Sequence, residues 1–325
     1  MQQKKNHLNT QSFLYTCFIS TLGISVFGLG LLLTSLNLSA AEPLRIATEQ
    51  LNTTLKTPGL VILDARPETA YQESHIQGAL NFPETWTYHD KSIDGRIVQP
   101  TQVQTILRAL GIKIDSPVVI YDGGQMIAAA RLFWTLEVYG LKNIKILNKG
   151  YAQWLELDLP ISFETPYTKA SNYIPVINHE RLATKLTTLL ATKNPNQHII
   201  DARPNPSYLG LKSTAKRFGH IPKAINIPAS HNLSQTNQIN SLKSIEALKA
   251  LYADIPKTKK VVLYCAVGRI SALNYFTLRE LGYNVANYDA SWKEWANDFG
   301  LDIVKELGDT RADKINLQPS QSTLH

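Results

Sequence analysis

The stretch Val261-Val262-Leu263-Tyr264-Cys265-Ala266-Val267-Gly268-Arg269-Ile270-Ser271-Ala272 joins an apolar, β-branched run to the start of a helical pattern. It predicts a buried strand that ends at Cys265, a short loop containing Gly268, and then a helix. Such a junction points several backbone N–H groups and the positive end of the helix at one spot. A thiol at that spot loses its proton readily and can act as a nucleophile. We therefore take Cys265 as the candidate nucleophile, and we expect it to be ionised at neutral pH and open to solvent.

The chain contains two cysteines, Cys17 and Cys265. Cys17 lies in an N-terminal segment in which basic residues precede the uncharged residues 13–36 and a run of small residues ending at Ala41. This order is typical of a cleaved secretory signal, although the uncharged stretch is also long enough to serve as an uncleaved membrane anchor. Either alternative exports the folded part, and we expect it in the periplasm. The single cysteine left after cleavage is then either a reactive thiol or a small buried core residue.

The two halves of the chain share a series of motifs in the same order. Asp-Ala-Arg-Pro occurs at residues 64–67 and again at residues 201–204, and a tyrosine and a His-Ile pair follow in each case. Further along, the apolar run before Asp122 corresponds to the run before Cys265, 143 residues later. Constant order with nearly constant spacing indicates a duplicated domain.

Each half alternates short apolar strands with helical patterns. This alternation predicts an α/β fold of two tandem domains, each a parallel sheet with helices on both faces. Strands are predicted at 60–64, 118–121, 144–147, 198–201, 261–264 and 285–288, and helices at 101–110, 128–139, 242–252 and 272–281. Along the chain we expect a leader (1–41), a first domain (42–163), a connection (164–178), a second domain (179–305) and a polar tail (306–325). Ligands of such sheets bind beyond the carboxyl ends of the strands, which is where Cys265 falls.

Composition narrows the classes of partner. The formal net charge is +7, but the basic residues are scattered and no basic run is interleaved with aromatic residues, so we do not expect nucleic-acid binding. A mildly positive field suits small anions instead. The sequence has no cluster of metal ligands and no dinucleotide fingerprint, so neither a metal nor another cofactor is expected. Contact with a membrane is expected only if the leader remains uncleaved.

Four motifs carry a resemblance to a known family. They are Asp-Ala-Arg after a strand, Tyr…His-Ile-x-x-Ala-x-Asn-x-Pro, the Cys-x-x-Gly loop, and the segment from Tyr288 to Trp295. Together they resemble the tandem-domain rhodanese family, the thiosulfate and 3-mercaptopyruvate sulfurtransferases, from Pro43 to about Val304. The last motif departs from the family pattern at Ala290, where glycine is usual.

The resemblance implies sulfur transfer through a persulfide on Cys265, from a small anionic donor to a thiophilic acceptor such as cyanide or a thiol. Thiosulfate is placed slightly ahead of 3-mercaptopyruvate as the donor. The N–H groups of the loop that follows the cysteine would surround the sulfur; its residues are Ala266, Val267, Gly268, Arg269 and Ile270. Arg269 is the candidate for holding the anionic end of the donor, and Arg203 is a second candidate for substrate binding if it approaches the loop. Each has a structural alternative, a solvent-facing charge for Arg269 and a strand-end hydrogen bond for Arg203.

The first half carries Asp122 in the place of Cys265. A carboxylate is a poor sulfur nucleophile and repels an anionic donor, so we expect this half to be inactive. The histidines of the repeated motif, His75 and His220, occur in both halves, which favours an architectural role over catalysis. For the same reason the repeated Asp and Arg residues are expected to stabilise strand ends; these are Asp64, Arg66, Asp201 and Arg203.

The sequence leaves two other functions open. The duplicated fold could serve as a binding module in which Cys265 is inert or acts as a redox sensor. A phosphatase of related fold would need an arginine to close the loop six residues after the cysteine, and Ser271 stands there.

Overall fold

The computed structural model describes residues 43–90, 95–237 and 239–305. The predicted leader and the predicted polar tail lie outside the described residues, so both stay predictions. Within the described ranges, no helix combines the length and the apolar character that crossing a bilayer requires.

Short strands alternate with helices along the described chain. The strands are β1 (Arg45–Ile46), β2 (Val61–Asp64), β3 (His75–Ile76), β4 (Leu80–Asn81), β5 (Val118–Tyr121), β6 (Ile144–Leu147), β7 (Ile161–Ser162), β8 (Leu182–Ala183), β9 (Gln197–Asp201), β10 (Ala224–Asn226), β11 (Leu233–Thr236), β12 (Ile239–Leu242), β13 (Lys260–Tyr264) and β14 (Val285–Tyr288). The α-helices are α1 (Thr48–Thr54), α2 (Glu68–Glu73), α3 (Pro100–Ala109), α4 (Ile127–Val138), α5 (Gly150–Glu156), α6 (Lys185–Lys193), α7 (Asn205–Tyr208), α8 (Ile245–Leu251), α9 (Ser271–Glu280) and α10 (Ser291–Asn297).

Two five-stranded sheets form the framework, one in each half. The first has the order β1-β6-β5-β2-β4, and the second has the order β8-β14-β13-β9-β10. Every pairing within these two sheets is parallel. The two orders correspond strand by strand, as expected for a duplicated domain. The predicted α/β fold, with one parallel sheet in each half, is confirmed.

The strand that precedes Cys265 lies at the centre of the second sheet. β13 pairs with β9 on one side and with β14 on the other. Its residues from Val261 to Tyr264 are all buried, as in a strand that is covered on both faces. The loop after β13 therefore starts from a buried strand that is hydrogen-bonded on both sides.

One predicted helix begins later than the sequence pattern indicates. The prediction placed it at 242–252, but Leu242 ends β12, which pairs antiparallel with β11. α8 begins at Ile245, and the side chain of Ser244 caps it by accepting a hydrogen bond from the N–H of Ala247 (3.2 Å). A serine cap satisfies one of the free N–H groups of the first turn, so the helix starts there.

One hydrophobic cluster contains residues of both halves, and each half has a further cluster of its own. Phe133 of α4 and Phe276 of α9 meet edge to face, with ring centroids 4.9 Å apart. Two ion pairs flank this contact, between Arg45 and Glu280 (2.5 Å) and between Glu137 and Arg279 (2.9 Å). Because α4 and α9 each follow the loop of a central strand, their packing brings both loops to the interface between the halves.

Candidate active site

The loop after Cys265 turns at Gly268, which has a φ of +69°. A Cβ atom at this position would lie 2.4 Å from the carbonyl oxygen of Asp289 and 3.1 Å from Nη1 of Arg131. Both the left-handed backbone and the close neighbours exclude a side chain here. The glycine therefore allows the chain to turn tightly against α4 and against the end of β14.

Three carbonyl groups of the loop accept hydrogen bonds from outside it. The oxygen of Cys265 accepts from the N–H of Trp292 (3.0 Å), and the oxygen of Ala266 accepts from the N–H of Lys293 (2.9 Å). The oxygen of Gly268 accepts from Nη1 of Arg131 (3.0 Å) and from Nδ2 of Asn287 (3.1 Å).

The loop carbonyls determine where the loop N–H groups point. In a trans peptide, the C=O of one residue and the N–H of the next point in opposite directions. The outward carbonyls of Cys265, Ala266 and Gly268 thus turn the N–H groups of Ala266, Val267 and Arg269 inward. Across the part of the chain that the structure describes, the backbone N–H groups of residues 266–270 have no hydrogen-bond acceptor. A row of free amides of this kind is suited to an anion.

Ser291 contacts Cys265, although the sequence analysis did not single it out. Its Oγ accepts a hydrogen bond from the N–H of Cys265 (3.2 Å) and donates to the carbonyl of Tyr288 (2.8 Å). Ser291 has a φ of +55°, and its counterpart in the first half, Gly150, has a φ of +59°. A serine in this backbone region costs free energy, and the two hydrogen bonds of its side chain offset part of that cost. The alignment of Ser291 with a glycine was the available signal.

The equivalent loop in the first half already binds the side-chain carboxyl group of Asp122. The buried carboxylate of Asp122 accepts hydrogen bonds from the backbone N–H groups of four loop and helix residues, at 2.9–3.3 Å; they are Gly124, Met126, Ala128 and Ala129. Burial raises the pKa of Asp122, and these N–H groups act in the opposite direction. This half thus uses its loop amides to hold its own side chain and lacks a nucleophile there.

The side chain of Arg269 binds a residue of the first half and is not free to hold a donor next to Cys265. Its Nε and Nη2 donate to the two carboxylate oxygens of Glu84 in the first half, at 2.6 and 2.8 Å. The hydrogen bond with Glu84 is the main cause that raises the pKa of Arg269. Both residues line a cavity of about 610 Å³ in the first half, around Asp122. Arg269 therefore bridges the two halves.

The side chain of Arg203 binds Asp201 at the end of its own strand, β9. Its side chain is 4% exposed and pairs with Asp201, with Nη2 and Oδ2 2.5 Å apart. Its guanidinium also lies 4.4 Å from the ring centre of Trp292. Nη1 of Arg203 has no hydrogen-bond partner among the described residues. Asp64 and Arg66 form the same kind of pair in the first half.

The two repeated histidines sit in matching structural positions. Nδ1 of His75 lies 2.8 Å from the carbonyl of Tyr71, and the two rings stack at 3.8 Å. Nδ1 of His220 lies 2.9 Å from the carbonyl of Tyr208, and these rings stack at 3.9 Å. Each histidine thus holds together the segment that follows the Asp-Ala-Arg motif.

The expectation that Cys265 is open to solvent is wrong for this structure, because the residue is 1% exposed. The first half covers the loop: a Cβ atom on Gly95 would meet the carbonyl oxygen of Val267 at 2.8 Å, and Glu84 binds Arg269. A cavity of about 400 Å³ lies beside the loop. Its lining includes Ala202, Pro204, Ile270 and Leu273.

Comparisons with known proteins agree with this arrangement. The family described as rhodanese-like domain matches residues 47–157 and 182–298. A relative from Haloferax volcanii that carries the name thiosulfate sulfurtransferase is 32% identical over 257 residues, which cover 76% of this chain and 88% of the relative. A relative of the same name from Mycolicibacterium smegmatis is 31% identical over 286 residues, covering 83% and 99%. Among solved structures, the 3-mercaptopyruvate sulfurtransferase SseA from Escherichia coli superposes with a TM-score of 0.68 at 26% identity, covering 77% of this chain and 99% of SseA.

Proposed function

Because the chain belongs to the rhodanese family of sulfurtransferases, we propose that Cys265 carries the transferred sulfur as a persulfide. The Cys265 thiolate attacks the outer sulfur of thiosulfate, and a new S–S bond forms. The bond between the two donor sulfurs breaks, and sulfite leaves with its electron pair. A thiophilic acceptor such as cyanide then attacks the outer sulfur of the persulfide and leaves as thiocyanate, which regenerates the thiolate.

The observation that carries the proposal is the row of amides at residues 266–270, which lacks an acceptor among the described residues. Cys265 stands at the start of this row, where the first half has Asp122. The loop in the first half supports this, since four N–H groups at the same place in the fold bind the carboxyl oxygens of Asp122. In the second half the anion would be the thiolate and then the persulfide, both of which such donors stabilise.

We propose thiosulfate as the donor, and three points support it. Two relatives carry the name thiosulfate sulfurtransferase, although the E. coli structure is of a 3-mercaptopyruvate enzyme. The cavity beside the loop, at about 400 Å³, is large enough for a small anion. Arg269 carries a charge that could attract such an anion once it separates from Glu84.

The site of action is proposed from the leader. The order of basic, uncharged and small residues before Glu42 supports export to the periplasm with cleavage after Ala41. Fractionation of the cells followed by N-terminal sequencing tests this. A mature chain that begins at Glu42 in the periplasmic fraction is the expected result, and a cytoplasmic protein with an intact leader would contradict it.

Substitution of the nucleophile tests the reaction. We expect Cys265→Ser to lower thiocyanate formation from thiosulfate and cyanide by roughly a thousandfold or more, because a hydroxyl cannot carry the sulfur. Intact-mass measurement after thiosulfate treatment should show one added sulfur on the native protein and none on the variant.

The matched change in the first half is Asp122→Asn, which should leave sulfur loading within about threefold, since no reacting group is placed there. Sulfur transfer that survives in the Cys265→Ser variant would refute the nucleophile assignment. Release of phosphate from an aryl phosphate, without sulfur loading, would favour a phosphatase instead.

The pair of Arg269 and Glu84 tests the donor site. Glu84→Gln removes a negative charge that neutralises Arg269 and repels an anionic donor, so we expect the KM for thiosulfate to fall by roughly three- to tenfold. The kcat should change by less than about twofold, since the substitution leaves the sulfur and its loop in place. Steady-state kinetics measures both constants. Glu73→Gln, at an exposed position, is the control and should leave the KM unchanged. An unchanged KM in Glu84→Gln would show that Arg269 does not hold the donor.

A further inference from the structure

Arg131 is a fully buried cation in the middle of α4, in the half that lacks the cysteine. None of the carboxylates that the structure describes pairs with it. Its three donating nitrogens bind neutral oxygens instead: Nε binds Oγ1 of Thr87 (3.3 Å), Nη2 binds the carbonyl of Gly95 (3.2 Å), and Nη1 binds the carbonyl of Gly268 (3.0 Å). The guanidinium also lies 4.4 Å from the ring centres of Tyr88 and Trp134.

Burying a charged group without an ionic partner costs free energy, so the guanidinium depends on its hydrogen bonds and ring contacts to offset that cost. One of these contacts crosses to the other half and ends on the loop beside Cys265. The planar guanidinium lies close to two aromatic rings and donates hydrogen bonds from three nitrogens. The hydrogen bond from its Nη1 therefore positions the carbonyl oxygen of Gly268.

The direction of one carbonyl sets the direction of one amide. Because the 268–269 peptide is trans, a Gly268 oxygen held toward α4 turns the N–H of Arg269 to the inner side of the loop. Gly268 itself cannot hold this orientation, since glycine is the residue with the most backbone freedom. The second donor to the same oxygen, Nδ2 of Asn287, comes from β14 in the half that carries the cysteine.

The duplication provides an internal comparison. The position in α9 that corresponds to Arg131 is Asn274, whose Nδ2 binds the carbonyl of Ile227 within its own half. The arginine is thus present only on the helix that faces the loop of Cys265. Gly95, the other carbonyl partner of Arg131, also packs on the same loop, at Val267.

We propose that Arg131 is a positioning residue for sulfur transfer: from the first half, it holds the Gly268 carbonyl outward so that the amide of Arg269 stabilises the sulfur anion on Cys265. This inference rests on the proposed persulfide chemistry. It gives the half without a nucleophile a defined part in the reaction, through one hydrogen bond across the interface.

The test is a single-turnover experiment on the purified full-length protein. Native protein, Arg131→Met, Arg131→Lys, Asn287→Ala and the double variant Arg131→Met/Asn287→Ala are mixed with thiosulfate, and sulfur loading of Cys265 is followed by intact mass. We expect Arg131→Met to slow loading at saturating thiosulfate at least tenfold. The thiosulfate concentration that gives the half-maximal loading rate, here called the KM, should change less than threefold. Arg131→Lys should stay slow, because it keeps the charge but not the three-point geometry. Asn287→Ala should slow loading several-fold, and the double variant should lose less than the product of the two single losses, because both side chains act on one carbonyl.

The control is Arg45→Met, which breaks the ion pair with Glu280 across the same interface without touching the loop. It should load sulfur within twofold of the native rate. Equal slowing in Arg45→Met would mean that any damage to the interface suffices, and the proposal would fall. It would also fall if Arg131→Met loaded at the native rate, if only its KM rose, or if Arg131→Lys restored the full rate. Thermal unfolding checks that each variant is folded. If Arg131→Met does not fold, Asn287→Ala decides, and native loading in that variant overturns the proposal. Absence of sulfur loading in the native protein would instead refute the proposed function itself.

Discussion

The carbonyl of Gly268 is the point on which the candidate site depends. It accepts one hydrogen bond from its own half, from Asn287, and one from the other half, from Arg131. Together with the outward carbonyls of Cys265 and Ala266, it leaves the amides of the loop pointing to the inner side. The chemistry of a sulfur anion needs such donors already in place, because donors that must first reorient contribute less to stabilising the charge.

The two halves carry loops at the same place in the fold, but the amides of the two loops differ in what they bind. In the first half the loop amides bind the carboxylate of Asp122, and in the second half they are free of acceptors among the described residues. The first half nevertheless shapes the site. It supplies Arg131 to the loop and Glu84 to Arg269, and it packs Phe133 against Phe276 in a shared core. The two halves thus form one packed body, in which both halves contribute residues that contact the loop of Cys265.

Local patterns in the sequence predict the parallel sheets and place Cys265 at the end of a buried strand, because a strand that ends in a cysteine and a glycine loop is specified by neighbouring residues. The structure has the cysteine at that position, and its role as the nucleophile stays a proposal. The repeated Asp-Arg pairs can also be predicted, because each is specified by residues that are close together in the sequence. The role of Arg131 could not be predicted, because its hydrogen bond joins residues 137 positions apart and depends on how α4 packs. Nonlocal contacts also explain the two departures at the site, where Arg269 turns to Glu84 and Cys265 is buried. Ser291 was accessible in principle, since it aligns with a glycine of left-handed backbone, but that conformation is visible only in the structure.

The central claim is that the loop amides hold the sulfur anion, and the amide proton shifts of residues 266–270 test it most directly. An ¹⁵N-resolved NMR spectrum of the protein before and after sulfur loading with thiosulfate reports on each N–H group separately. The account predicts that several of these amide protons move downfield when the persulfide forms, while the amides of Gly124 and Met126 around Asp122 do not move. Unchanged shifts at residues 266–270 in a protein that has gained its sulfur would contradict the account.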